Sequence, residues 1–194
     1  MIGLRSQFGT SLFLAFVIVL VSSMAAAVAA RRAGAAGRSG REAAARVLAA
    51  GAVLVTIVAT ALPRRFGIET DGDLVLQLGR GGLREWRNLF VDPLTLASIE
   101  LVANILLYSA IGFTMTIAWY RKRRFVVIAC VLLSVLVETA QYLVLGRVAA
   151  VDDVLLNMVG AVIGYLAAVM VFAVGDRSRR RLPSGRRLRG REAG

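Results

Sequence analysis

The chain is expected to be all-α: a polytopic membrane helix bundle of about five transmembrane helices, with the N-terminus outside and the C-terminus inside. Three observations predict this. Hydrophobic residues fill 58% of the 194 positions and charged residues only 19%, against about 45–50% and about 25% in soluble domains. Five windows approach the roughly 20 apolar residues that a helix needs to cross a hydrocarbon core of about 30 Å. The cations alternate between successive loops, as they do in oriented multi-pass proteins. A mean hydropathy of +0.71 rules out a disordered chain and argues against an ordinary soluble enzyme. Histidine is absent, so no imidazole base or ligand exists. The single cysteine, Cys130, leaves no internal disulfide and no thiolate metal cluster. No metal and no cofactor are expected.

The elements follow in order. Residues 8–30 run from Phe8 to Ala30 without a charge. Residues 44–62 are alanine-rich, carry Arg46 near one end, and form the weakest span. Residues 99–119 hold Glu100 and Asn104 near their start. Residues 125–145 contain Glu138 and Gln141, and residues 153–174 begin with Asp153 and contain Asn157. This divides the chain into a first helix with its basic loop (1–43), a membrane domain (44–174) and an Arg-rich disordered tail (175–194).

Cytoplasmic loops retain Lys and Arg. The segment between the first two spans with Arg46 at the edge of the second, the one between the third and fourth, and the tail together hold 17 of the 24 cations. An odd number of spans with an outer amino terminus satisfies every loop at once. Residues 1–30 also have a signal-peptide-like layout, with Arg5, an apolar run and an Ala-x-Ala region. The apolar run exceeds a usual signal core, and cleavage would reverse every later span, so a retained helix is expected.

The net charge of +12 is half accounted for by the tail. Nucleic-acid binding is not expected, because no aromatic residue interleaves those arginines as a stacking platform would require. Attraction to anionic inner-leaflet lipids, at about 1 kcal/mol per cation, is expected instead. The outer loop 63–98 balances five arginines against five acids. Within it, Leu83, Trp86, Leu89 and Phe90 form one apolar stripe, which predicts a short interfacial helix ended by Pro93. Gly79-Arg80-Gly81-Gly82 matches no phosphate-loop pattern and reads as a turn.

Polar residues inside spans are functional suspects, since an ionised one costs at least about 2.5–3.5 kcal/mol at the centre. Asn104, Tyr108 and Gly112 repeat every four residues on the third span. Ser134, Glu138 and Gln141 share one face of the fourth. Asp153, Asn157, Gly160 and Gly164 share one face of the fifth. At a rise of about 1.5 Å per residue, Glu138 lies about 10 Å from its outer helix end, and Asn104 and Asn157 about 6–8 Å. With Arg147, Asp152 and Asp153 in the outer connection, these groups gather in the outer half of the membrane. Plainer roles stay open beside this one. Asp152 and Asp153 suit an N-cap and a first-turn acid, and Arg147 suits a side chain snorkelling to the interface. Asn104, Gln141 and Asn157 suit interhelical hydrogen bonding, and Gly160-x-x-x-Gly164 with Ala168 suits a packing seam. Glu138 resists a plain account best, because a buried carboxylate must be protonated, hydrogen-bonded or paired.

The stretch Glu138-Thr-Ala-Gln141, Gly146-Arg147, Asp152-Asp153, Asn157-Met-Val-Gly160 and Gly164 resembles the VanZ-like family of bacterial membrane proteins. Asn104 to Gly112 matches that family's other recurring element, and the resemblance spans about residues 85–172. Two positions depart from the pattern. Ala150 stands where the family usually has a further Asp, and Ala110 where it often has Pro. The family's namesake is associated with resistance to teicoplanin, a lipid-bearing glycopeptide, and no settled catalytic residue comes with it. The resemblance implies a bacterial cell membrane location and a site that meets envelope lipids, lipid-linked wall precursors or lipidated antibiotics. The expected function is therefore a non-enzymatic envelope protein. Its polar pocket would comprise Asn104, Tyr108, Glu138, Gln141, Arg147, Asp152, Asp153 and Asn157, framed by Gly112, Gly160 and Gly164. An intramembrane enzyme with Glu138 as general base, or a small proton-coupled transporter using Glu138, stands as the alternative. The first lacks an evident nucleophile and the second an internal repeat.

Overall fold

The computed structural model describes the backbone of residues 2–61, 74–75, 96–145 and 149–181, and the side chains of 13–59, 101–120, 122–143 and 151–174. Five long helices dominate: α1 (Ile2–Ala35), α2 (Gly40–Ala61), α3 (Leu96–Ala118), α4 (Val126–Leu145) and α5 (Val151–Arg181). A 3-10 segment, η1 (Tyr120–Phe125), joins α3 to α4. All five helices contain a stretch long and apolar enough to cross a membrane. They match the five expected windows, although α1, α2, α3 and α5 begin two to six residues earlier than expected and α5 runs beyond the apolar segment. The interfacial helix expected around Leu83–Phe90 lies outside the described residues, as do Arg147 and residues 182–194.

Backbone chemistry turns the chain sharply between α1 and α2. Gly37 takes φ +68°, a left-handed conformation that glycine adopts without a Cβ clash. Arg38 N–H then donates to Ala33 O at 2.8 Å, and Gly37 N–H to Gly34 O at 3.0 Å. This is the Schellman pattern that satisfies the last carbonyls of a helix. Ser39 caps the next helix, its Oγ accepting from Glu42 N–H at 3.3 Å. Ser-x-x-Glu is a helix-start signature, so one helix is stopped and another started within a few residues.

Small residues then let these two helices approach closely. A Cβ on Gly51 would collide with the Ser22 side chain, and one on Gly40 would lie 2.7 Å from Ala30 O. Ala26 and Ala33 on α1 and Ala45 and Ala49 on α2 are buried as well. Lipid chains are as apolar as leucine, so close van der Waals packing of this kind holds membrane helices together. The seam lies in the two alanine-rich spans, where composition alone singled out no face.

The most extensive contact is α3 against α5, followed by α1 against α2. Helix α2 bridges to α3, and α4 packs mainly on α5. The central cluster comprises Tyr108, Ile111, Val126, Cys130 and Ala161, which assigns Cys130 to the core. On α4, Val126, Cys130, Ser134 and Val137 are buried, whereas Ile128, Leu132, Val135, Leu136 and Leu143 are exposed. The buried set recurs at helical spacing, so α4 turns one face inward and the other outward. An exposed apolar face of this extent suits a lipid solvent.

The alternating helix directions divide the bundle into two ends. The α1–α2 turn, η1 and the final turns of α5 share one, referred to below as the basic end. At the opposite end, Leu74–Val75 (β1) pairs in parallel with Ala149–Ala150 (β2), with Leu74 opposite Ala149 and Val75 opposite Ala150. Part of the loop before α3 is thereby tied by backbone hydrogen bonds to the connection between α4 and α5.

Candidate functional site

Close approach of α3 and α5 creates the site's frame. A Cβ on Gly112 would strike Ala161 O, and one on Gly160 would come within 2.5 Å of Ile105 O. A Cβ on Gly164 would meet both Ser109 O and Phe113 N. At all three positions the obstacle is backbone, which cannot swing aside as a side chain can. Ser109 strengthens the contact, its Oγ donating to Ile105 O at 2.7 Å on its own helix and lying 3.0 Å from Gly160 O across the interface. Sequence inspection passed over Ser109 because a serine bonded to its own helix is common in membrane spans. Its spacing from Tyr108 gave no sign of the partner.

Helix α4 completes the site. Asn157 Nδ2 on α5 donates to Ser134 Oγ on α4 at 2.9 Å, and both side chains are buried. The Tyr108 hydroxyl on α3 faces Ser134 and lies within electrostatic reach of Glu138. It does not reach hydrogen-bonding geometry, and Tyr108 Oη, Glu138 Oε2 and Asn157 Oδ1 are buried atoms without a hydrogen bond. Glu138 makes other interactions as a residue. Tyr108 is only 2% exposed and Asn157 3%. A buried polar atom left unbonded costs about 1–3 kcal/mol, so Tyr108 Oη and Asn157 Oδ1 each call for a further partner, a water molecule or a ligand group.

The remaining expected residues divide by position. Asn104 lies one turn from Tyr108 toward the end opposite the basic one, and Gln141 lies about one turn from Glu138 in the same direction; both are half-buried. Asp152 and Asp153 both fall in the first turn of α5, which starts at Val151, so Asp152 lies inside the helix rather than capping it. Asp152 is buried and Asp153 half-buried, and both make interactions. Carboxylates in a first helical turn complement the positive end of the helix dipole. Thr116 also belongs to the α3 stripe: fully buried, it donates to Gly112 O at 2.6 Å. Its spacing of four from Gly112 was the signal available for finding it.

Three helices thus bring together a phenol, a hydroxyl, a carboxyl group and a carboxamide. Such a set can donate and accept hydrogen bonds to a polar ligand group or to one another. Among the described residues no group of acidic or cysteine side chains is arranged to hold a metal ion. No match is found among curated proteins or among solved structures. The VanZ/LLP1 family model matches residues 11–172, extending the resemblance from the last three helices to the first two. With its five membrane-length helices and a match over most of its length, the chain belongs to the VanZ/LLP1 family.

Proposed function

We propose that this is a non-enzymatic protein of the bacterial cell membrane whose polar site receives the polar part of an envelope lipid or a lipid-bearing glycopeptide. One observation carries the proposal: Tyr108, Ser134, Glu138 and Asn157 converge from three helices, with Tyr108 Oη and Asn157 Oδ1 buried and unbonded. The distribution of cations supports an outward orientation for this end, with the basic end in the cytoplasm. Asp152, Asp153 and Arg147 would line the approach, and Asn104 and Gln141 the rim. Packing of Ser22 on α1 against Gly51 on α2 supports retention of the first helix.

The test is drug susceptibility of a sensitive Gram-positive host that expresses the protein. Teicoplanin and vancomycin are compared for wild type, Tyr108→Phe, Asn157→Leu and Arg147→Ala, with membrane levels verified. A wild-type shift for the lipidated drug alone, lost in well-expressed variants, is the expected result. No shift from verified, membrane-inserted protein would remove drug resistance from the proposal.

The Tyr108–Glu138 proximity favours a second reading, in which Glu138 exchanges a proton as an intramembrane base or carrier group. Glu138→Gln separates the two. It preserves hydrogen bonding in a receiving pocket but abolishes proton chemistry.

A further inference from the structure

At the basic end, three elements meet around one aromatic pair. Tyr120, the first residue of η1, and Phe172 on α5 have ring centroids 4.0 Å apart, tilted by 39°. The guanidinium carbon of Arg41, in the first turn of α2, lies 4.0 Å from the Phe172 centroid. That of Arg123 lies 4.4 Å from the Tyr120 centroid. Two guanidinium groups from separate elements are thus seated on one aromatic platform. Neither forms an ion pair with a carboxylate among the described residues, where Glu42 lies instead 3.9 Å from Arg46.

A guanidinium stacked by its face keeps its edge N–H donors directed away from the ring and loses little entropy on meeting a planar or tetrahedral oxyanion. Arginine edges bind phosphate by paired, charge-assisted hydrogen bonds. Height is indicated by aromatic residues, because Tyr120 and the exposed Trp119 belong at the level of lipid headgroups. Exposed Arg31, Arg32, Arg38, Lys122 and Arg124 surround the platform and raise the local concentration of anions.

We propose that Arg41 and Arg123, held on the Phe172–Tyr120 pair, form a binding site for the phosphate of an anionic phospholipid headgroup. It is distinct from general attraction to the arginine tail, because its two cations are fixed by rings rather than carried on a chain terminus. It does not depend on the polar cluster at the other end.

The test uses the full chain in dodecyl maltoside, titrated with phosphatidylglycerol or phosphatidylcholine and read by native mass spectrometry. Wild type should prefer phosphatidylglycerol. Each cation near an anionic surface contributes roughly fivefold in binding, so Arg41→Ala/Arg123→Ala should weaken phosphatidylglycerol binding by about ten- to thirtyfold. Phosphatidylcholine binding should not change. Arg41→Lys/Arg123→Lys, which keeps charge but not the planar fork, should fall between. Phe172→Leu, which keeps both charges but removes a ring, should also weaken binding severalfold. Replacing the tail arginines at 186–191 by serine should have a smaller effect than the double alanine variant. Millimolar inorganic phosphate distinguishes the sources: competition without a preference for the lipid would assign the same site to soluble phosphate. Phosphatidylglycerol affinity in the double alanine variant within about twofold of wild type, an equal loss for phosphatidylcholine, or an unaltered Phe172→Leu protein would each overturn the proposal.

Discussion

Asn157 on α5 donates from Nδ2 to Ser134 Oγ on α4 at 2.9 Å, away from solvent. Few side-chain contacts say more about this bundle. The bond ties α4, whose packing is less extensive, to the tightly packed α3–α5 pair. It also leaves the second polar atom of Asn157, Oδ1, buried and unbonded. A single carboxamide therefore links helix assembly to the candidate site.

That bond can be weighed by a double-mutant cycle. Asn157→Ala and Ser134→Ala should be coupled by about 0.6 kcal/mol, with about 1.7 as an upper value, in line with hydrogen bonds inside membrane proteins. Reversible unfolding in mixed micelles measures it. A coupling of zero would mean that the bond contributes nothing to assembly.

Tyr108→Phe removes a buried hydroxyl that makes no hydrogen bond. Stability should therefore stay the same or rise, whereas activity in the drug-susceptibility assay should fall. A loss of stability of 1 kcal/mol or more, a magnitude of about one hydrogen bond, would show that the hydroxyl is structural.

The α3–α5 seam predicts a graded series. Gly164→Ala and Gly160→Ala each push a methyl group into backbone and should cost at least about 1–3 kcal/mol, the usual range for overpacking. Gly34→Ala is the control: nothing lies within 4 Å of its added Cβ. Helix propensity alone should then leave it neutral or more stable by about 0.5–1 kcal/mol. Folded yield and unfolding midpoints in micelles report the order.

Orientation is accessible through cysteine chemistry. Native Cys130 is buried at 1% exposure and should resist maleimides until the protein is denatured. In a Cys130→Ala background, an impermeant maleimide added to whole cells should label Ala149→Cys. It should leave Ser39→Cys unlabelled until the cells are opened. The reverse pattern would invert the proposed topology and move the polar site to the cytoplasmic side.

Much of the site was legible as stripes. Tyr108, Ser134 and Asn157 each fall on a helical face recognisable from spacing, and all three are buried. The faces of α4 illustrate the limit. Ser134, Glu138 and Gln141 share a stripe, yet Ser134 is fully buried whereas the other two are half-buried. A period of 3.6 residues carries a stripe gradually around the helix, so only the neighbouring helices decide which member meets a partner. Ser109 and the Arg41–Phe172 pair were missed for the same reason, since each joins residues far apart in the chain.

The sequence by itself determined the membrane class, the five spans and the separation of a strongly basic end from a polar one. Those properties follow from local quantities: apolar length against bilayer thickness and the positions of charge along the chain. The Ser39-x-x-Glu42 start and the Gly37 stop are equally local, but only the structure brought them out. Tertiary structure decided which helices touch, and therefore which polar atoms are satisfied. In a bilayer every apolar face is acceptable to lipid, so hydrophobicity cannot choose a partner helix; steric fit at Gly112, Gly160 and Gly164 does. That fit sets α3 against α5, and α4, packed on α5, then brings Ser134 to Asn157.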